Sequence, residues 1–351
     1  MEVPAMAARS ESMKKPPFPL PRPTAFSALL AALLLITGRL MAGPLVVAYV
    51  PNWVDLKSFS ETIDYGKLTH INVAFENPLN DAGDLSFSSR NEVLITKARA
   101  KGVKVLISIG GGVASDNKAL KARYFDLLSA AKRAGFAAKI ADYVAAHQFD
   151  GLDVDIEGPS INQDYGAFID ELAKVLKPRG KLLTAALSKG YGGDRVPGSA
   201  LAQFDFVNIM AYDGAGYWSP EHPGQHSSLE FAKENTAYWL RRGLSKEKAV
   251  LGVPFYGYGF GDAFKKRDYP YNKIIADHAG AENADQTGST IWYNGIPTIR
   301  AKTQYVLDEK LAGVMIWSLD YDVRGEKSLL DTIHRTLHPA HKEKAAPAKK
   351  P

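Results

Sequence analysis

The chain contains no cysteine, which excludes disulfides and thiolate metal sites and leaves the fold to rest on the size of its core. Charge of one sign is also missing from its body. The formal total is +5, but residues 1–43 hold five Lys/Arg against two Glu, and residues 338–351 hold four Lys against one Glu. Each end therefore carries +3 and the body −1, which gives no electrostatic reason to expect nucleic acid as a partner. No internal repeat is visible beyond an alternation of strand and helix patterns, and no G-x-G-x-x-G follows the first strand-like stretch. That omission argues against an open, doubly wound nucleotide-binding sheet.

The N-terminus has basic residues Lys14, Lys15 and Arg22, the apolar run Ala25 to Ile36, and small residues Ala42 and Gly43 before the first strand. This order predicts an export signal over residues 1–43 and a secreted or periplasmic protein. The run is too short for a confident membrane span, but Arg39 and the lack of an A-x-A site leave an uncleaved anchor as the alternative, the only case in which a membrane would be a partner. Met13 offers a second possible start. The tail 338–351, built largely from Lys, Ala and Pro, reads as disordered.

From Leu45 onward, eight runs rich in β-branched and apolar residues recur at 45–50, 69–75, 104–110, 151–157, 182–188, 206–212, 249–255 and 312–318. Between them lie helical patterns such as YGAFIDELAKVL, with Tyr165, Phe168, Leu172 and Val175 on one face, and SLEFAKENTAYWLRR. Eight βα units across residues 44–337 predict an α/β fold, a single (β/α)8 TIM barrel, and a monomer is expected. Gly257 to Ile296, rich in Gly, Asp and Tyr, reads as a loop excursion over the top of the barrel.

The fourth run, GLDVDIE, raises the chemical question. Asp153, Asp155 and Glu157 alternate with Leu152, Val154 and Ile156, so a strand aims three carboxylates one way and three apolar side chains the other. A barrel strand has no solvent face, so the acids point inward, with Glu157 at the C-terminal rim. Three inward carboxylates cost stability through desolvation and repulsion, and they should titrate as one coupled set. Asp150 lies an odd number of residues from Asp153 and reads as structural. D-x-D-x-E could also ligate a hard divalent cation, although no histidine supports such a site.

With Asp150, the motif resembles the D-x-x-D-x-D-x-E signature of family 18 glycoside hydrolases, the chitinase-like enzymes. SIGG (Ser108 to Gly111) resembles the family's third-strand motif and MAYD (Met210 to Asp213) its sixth. AYVPNW, GVPFYG and GVMIWSLDYD on the first, seventh and eighth strands are similar to family segments too. The likeness covers residues from about 45 to 335.

The resemblance implies retaining hydrolysis of a β-1,4-linked N-acetylglucosamine polymer, chitin or chito-oligosaccharides, with no cofactor and no metal. The substrate's own acetamide would act as nucleophile and Glu157 as general acid and base. Asp155 would orient the acetamide N–H, Asp153 would share a proton with Asp155, and Tyr212, inward with Met210 and Asn208, would donate to the acetamide oxygen. Tyr49 and Ser108 would partner Asp153, Asp213 would follow Tyr212 at the rim, and Trp317 would floor the reacting sugar. Trp53, Trp218, Trp292, Tyr217 and Tyr256 are candidates for groove aromatics or core packing. His70 reads as a satisfied barrel histidine.

The chain departs from the family pattern in two places. Ile156 and Gly158 flank Glu157 where many chitinases carry aromatics, and Tyr258 stands where many carry Arg. Gly257 to Ile296 is also too short for a full-sized chitinase insertion domain, which implies a shallow groove. Peptidoglycan, the chitobiose core of N-glycans, and non-hydrolytic chitin binding as a lectin are the rival readings.

Overall fold

The protein is described here by a computed structural model covering residues 43–339. The expected export segment and nearly all of the basic tail lie outside those residues. Eight parallel strands close into a barrel: β1 (Leu45–Pro51), β2 (His70–Ala74), β3 (Lys104–Gly110), β4 (Gly151–Asp155), β5 (Leu182–Leu187), β6 (Phe206–Ile209), β7 (Ala249–Pro254) and, last in the chain, a strand at Gly313–Trp317. The sequence pattern located all eight. All the strands but the first end one to three residues earlier than the patterns do, apart from the third, which ends with its pattern at Gly110.

Alternation along the strands separates two apolar layers. Val46, Ala48, Val50, Leu152, Val154, Ile156, Leu251 and Val253 belong to an outer cluster that packs the barrel against its helices. Val47, Tyr49, Met210, Tyr212, Val250 and Met315 form a smaller inner cluster. Both faces of each strand are thus buried, as a parallel barrel requires. The helix Tyr165–Leu176 buries Tyr165, Phe168 and Leu172 as its spacing predicts, while Val175 is half-buried at the edge of the stripe. In SLEFAKENTAYWLRR the helix runs from Leu229 to Arg241, and the Ser228 hydroxyl caps it by accepting from Phe231 N.

The span from Gly257 to Ile296 is not the plain loop excursion expected from its composition. It carries short strands β8 (Tyr256–Gly259), β9 (Tyr269–Pro270), β10 (Gln286–Thr287) and β11 (Ile291–Trp292), plus the helix Tyr271–Asp277. The strands form an antiparallel sheet in the order β10-β11-β8-β9. Strands of two to four residues are too short to show an alternation, which is why they escape a reading by pattern. The barrel then closes through β12 (Gly313–Trp317), paired with both β1 and β7.

Candidate active site

The inward face of β4 carries the acids. Ser108 on β3, Asp153 on β4 and Thr184 on β5 are register partners across the ladder, so their side chains meet in the barrel interior. Asp153 is fully buried and takes four donors. Its Oδ2 accepts from Tyr49 (2.6 Å) and Ser108 (2.7 Å), and its Oδ1 from Thr184 (2.6 Å) and Asn208 (3.3 Å). Burial raises the proton affinity of this carboxyl and the four hydrogen bonds oppose that rise. A cation here would have to displace those donors.

Asp155 is equally deep, 4% exposed, but its Oδ1 is buried without a partner. Desolvation, then the neighbouring charges of Glu157 and Asp153, push its pKa well above the usual carboxylate range. Four donors already engage Asp153, which also lies near enough to Asp155 for its charge to contribute to that shift. Glu157 continues the alternation one step beyond β4, with Ile156 in the outer cluster. Burial, with Asp213 and Asp116 nearby, raises its pKa to about 7.

The SIGG motif has a steric reason. A Cβ on Gly110 would lie 2.3 Å from the Asp155 carbonyl oxygen, and one on Gly111 2.5 Å from the Phe75 ring, and both residues have positive φ. Gly111 N donates to that same carbonyl at 2.8 Å, so the turn after β3 holds β4 where the acids emerge.

Above the acids lies a cavity of about 310 Å³, lined among others by Asp155, Glu157, Tyr212, Met210, Asp213, Tyr256 and Trp317. Trp317 stacks on Phe75 (5.8 Å between centroids) and lies 5.3 Å from Tyr49. Trp53, 59% exposed, adds a further ring beside Phe75. Tyr212 is buried, its hydroxyl 4.0 Å from the Met315 sulfur, and the surrounding carboxylates and burial keep it protonated. Asp213 adopts a left-handed backbone (φ 64°) and accepts from Tyr256 (2.5 Å) and Tyr258 (3.0 Å). Its N–H points at His226 Nδ1 (3.4 Å), while Nε2 of that ring faces the Tyr256 carbonyl (3.2 Å).

Most expected site residues converge here, with some corrections of place. Asn208 and Ser108 do not reach the cavity; both are fully buried below it and act on Asp153. Trp218, half-exposed, and Tyr217 pack against Tyr258 at the rim without lining the cavity. Trp292 sits in β11, away from the lining. His70 lies at the start of β2, edge-on to Phe206, and burial lowers its pKa to about 4. Asp150 accepts from Val105 N at 2.9 Å and pairs with Lys104, a structural role.

Several contributors escaped the sequence reading. Thr184 is the one polar residue within β5, and its inward register was available as a signal. Phe75, Val113 and Asp268 also line the cavity from beyond strand ends, where alternation no longer speaks. Tyr258, noted only as a departure, holds Asp213.

The sequence profile of glycosyl hydrolases family 18 matches residues 45–322. The chain is 25% identical over 349 residues to chitotriosidase-1 of Mus musculus, covering 79% of this chain and 73% of that protein. It is 27% identical over 356 residues to probable chitinase 10 of Drosophila melanogaster, covering 79% of this chain but spanning only 15% of that much longer protein. The crystal structure of a family 18 chitinase from Flavobacterium johnsoniae superposes with a TM-score of 0.78 at 38% identity, covering 84% of this chain and 94% of that one. A chitinase from Bacteroides thetaiotaomicron gives 0.75 at 25% identity, with 87% and 100% covered. The closed barrel, the acids on its fourth strand and the profile match agree: this chain is a glycoside hydrolase and belongs to family 18 of the glycosyl hydrolases.

Proposed function

We propose that the protein is an exported enzyme that cleaves β-1,4-linked N-acetylglucosamine polymers, chitin or chito-oligosaccharides, by a retaining mechanism in which the substrate supplies the nucleophile. The observation that carries this reading is the contrast between a proton-holding Glu157 at the rim and an Asp155 with an unfilled acceptor just below it. Glu157 protonates the glycosidic oxygen as the C1–O bond breaks, and the acetamide oxygen of the same sugar closes on C1. The product is a cyclic oxazolinium ion and a free leaving sugar. Water then attacks C1 and hands a proton to the Glu157 carboxylate, which restores the acid and the acetamide.

Asp155 accepts the acetamide N–H and offsets the positive charge of the ring as it forms. Tyr212 donates to the acetamide oxygen and holds it against C1. An attack made intramolecular in this way lowers a barrier by roughly 7–11 kcal/mol. Trp317, backed by Phe75, offers the flat apolar surface that a sugar's C–H face needs. No other carboxylate is well placed as a nucleophile: Asp155 is engaged by the acetamide N–H, four donors occupy Asp153, and two tyrosine hydroxyls occupy Asp213.

Chitin is favoured because the relatives described above are chitinases by name. The short strands and single helix between Gly257 and Ile296 fall short of a full-sized insertion domain, which suits a shallow groove and non-processive, endo-type action. Export rests on the basic and apolar pattern of residues 1–43. The test offers chitin oligomers, their deacetylated counterparts, peptidoglycan and a glycoprotein in parallel, with products read by mass spectrometry. Cleavage of acetylated oligomers alone, unaffected by chelator, is expected. Equal rates on deacetylated oligomers would remove the substrate-assisted step, and preferred release from peptidoglycan or a glycoprotein would reassign the substrate.

A further inference from the structure

The backbone that carries Glu157 is gripped from two sides by groups outside the reaction cavity. On one side, Ser115 at the end of the short helix Gly112–Asp116 donates its hydroxyl to the Glu157 carbonyl at 2.7 Å, and Ser160 ties the same helix down through the Ala114 carbonyl at 2.8 Å. On the other side lies Tyr191, from the connection after β5. Its carbonyl accepts from Gly158 N at 3.1 Å, and its ring lies flush on Gly158. A Cβ at position 158 would fall 2.2 Å from that ring, and Gly158 already adopts φ +56°. Gly192 packs as closely, since a Cβ there would be 2.5 Å from the Gly158 carbonyl oxygen.

The phenol end of Tyr191 lies near Glu157 and Asp116, close enough for both charges, after burial, to raise its pKa. A half-exposed aromatic on a loop (45% exposed) is an expensive way to cover one peptide unless that peptide must not move.

We propose that Tyr191 is a positioning residue for Glu157: its ring and its backbone carbonyl, acting through Gly158, fix the backbone from which the acid projects. This rests on reading Glu157 as the proton donor. It also accounts for the glycine that departs from the family pattern, since the aromatic beside the acid arrives from another loop and leaves no room for a side chain at 158. Besides Tyr191, the titratable groups facing Glu157 are Asp155 on its own strand, Asp213 and Tyr212 beyond β6, and Asp116 on the short helix.

Two substitutions separate ring from hydroxyl. Tyr191→Ala is expected to lower kcat about tenfold to a hundredfold through misplacement of the acid, with KM for chito-oligomers changed less than about twofold. The same loss should appear with a chromogenic chitobioside, whose leaving group is not a sugar. Water admitted beside Glu157 should also move the alkaline limb of kcat to lower pH. Tyr191→Phe, which keeps the ring and the backbone contact, should hold kcat within about twofold. If Tyr191→Ala does not fold, Gly158→Ala, which drives the ring away, must reproduce the loss of kcat. Unchanged kcat in Tyr191→Ala and Gly158→Ala overturns the proposal. So does a rise in KM confined to oligomers, because the ring would then be a substrate contact. Full turnover in Glu157→Gln would instead overturn the acid assignment, whatever the Tyr191 variants do.

Discussion

The middle of β4 and the chain leaving it for the rim hold carboxyls that the barrel treats differently. At the deep end, Asp153 is surrounded by four donors drawn from four different strands or strand ends. At the rim, Asp155 leaves an oxygen unpartnered and Glu157 is raised to about 7. Depth alone would push both ends the same way, towards the neutral form. The difference lies in the hydrogen bonds: four donors offset part of the burial penalty at Asp153, and their scarcity leaves Asp155 raised much further. The barrel thus restrains the rise in proton affinity below and keeps a transferable proton above.

The comparison breaks most visibly at the rim. Glu157→Gln removes the transferable proton and preserves shape, so kcat on chito-oligomers should fall by about a hundredfold to ten-thousandfold. Oligosaccharide affinity, measured by calorimetry, should be kept. A variant with near-normal turnover would show that the proton comes from elsewhere.

Stability responds in opposite directions at the two ends. Thr184→Val strips one donor from Asp153 and is expected to cost about 1.5–3 kcal/mol in urea denaturation. Asp155→Asn should do the reverse above neutral pH. The raised pKa of Asp155 means that the folded state binds the proton more tightly than the unfolded state. Stability from that proton is complete below the ordinary carboxylate range and is lost as pH rises towards the folded value, at up to about 1.4 kcal/mol per pH unit. The Asn variant should flatten that decline. Equal destabilisation by both substitutions would erase the distinction between the ends.

Much of this arrangement was legible before any coordinates. Alternation in GLDVDIE gave the inward direction of the acids, and the likeness to family 18 gave Tyr49 and Ser108 as partners of Asp153, which both are; Asn208, set inward with Tyr212, serves Asp153 and not the cavity. Strand and helix periodicity carried the barrel because each element is long enough to show its period. The short strands β8 to β11 are not, and there composition misled. Contacts made across loops were beyond reach: nothing near position 158 in sequence announces that Tyr191 covers it, or that Tyr258 meets Asp213. Such pairs depend on how the barrel brings distant rim segments together, which local pattern does not encode.

The most direct test of the central claim is the pH dependence of kcat/KM for an acetylated chito-oligomer, followed from acid to alkaline pH. Because Glu157 must be protonated to act, activity should fall as pH rises through about 7. A descending limb near the ordinary glutamate range of about 4.3 would mean that the rim does not hold its proton, and the account would fail.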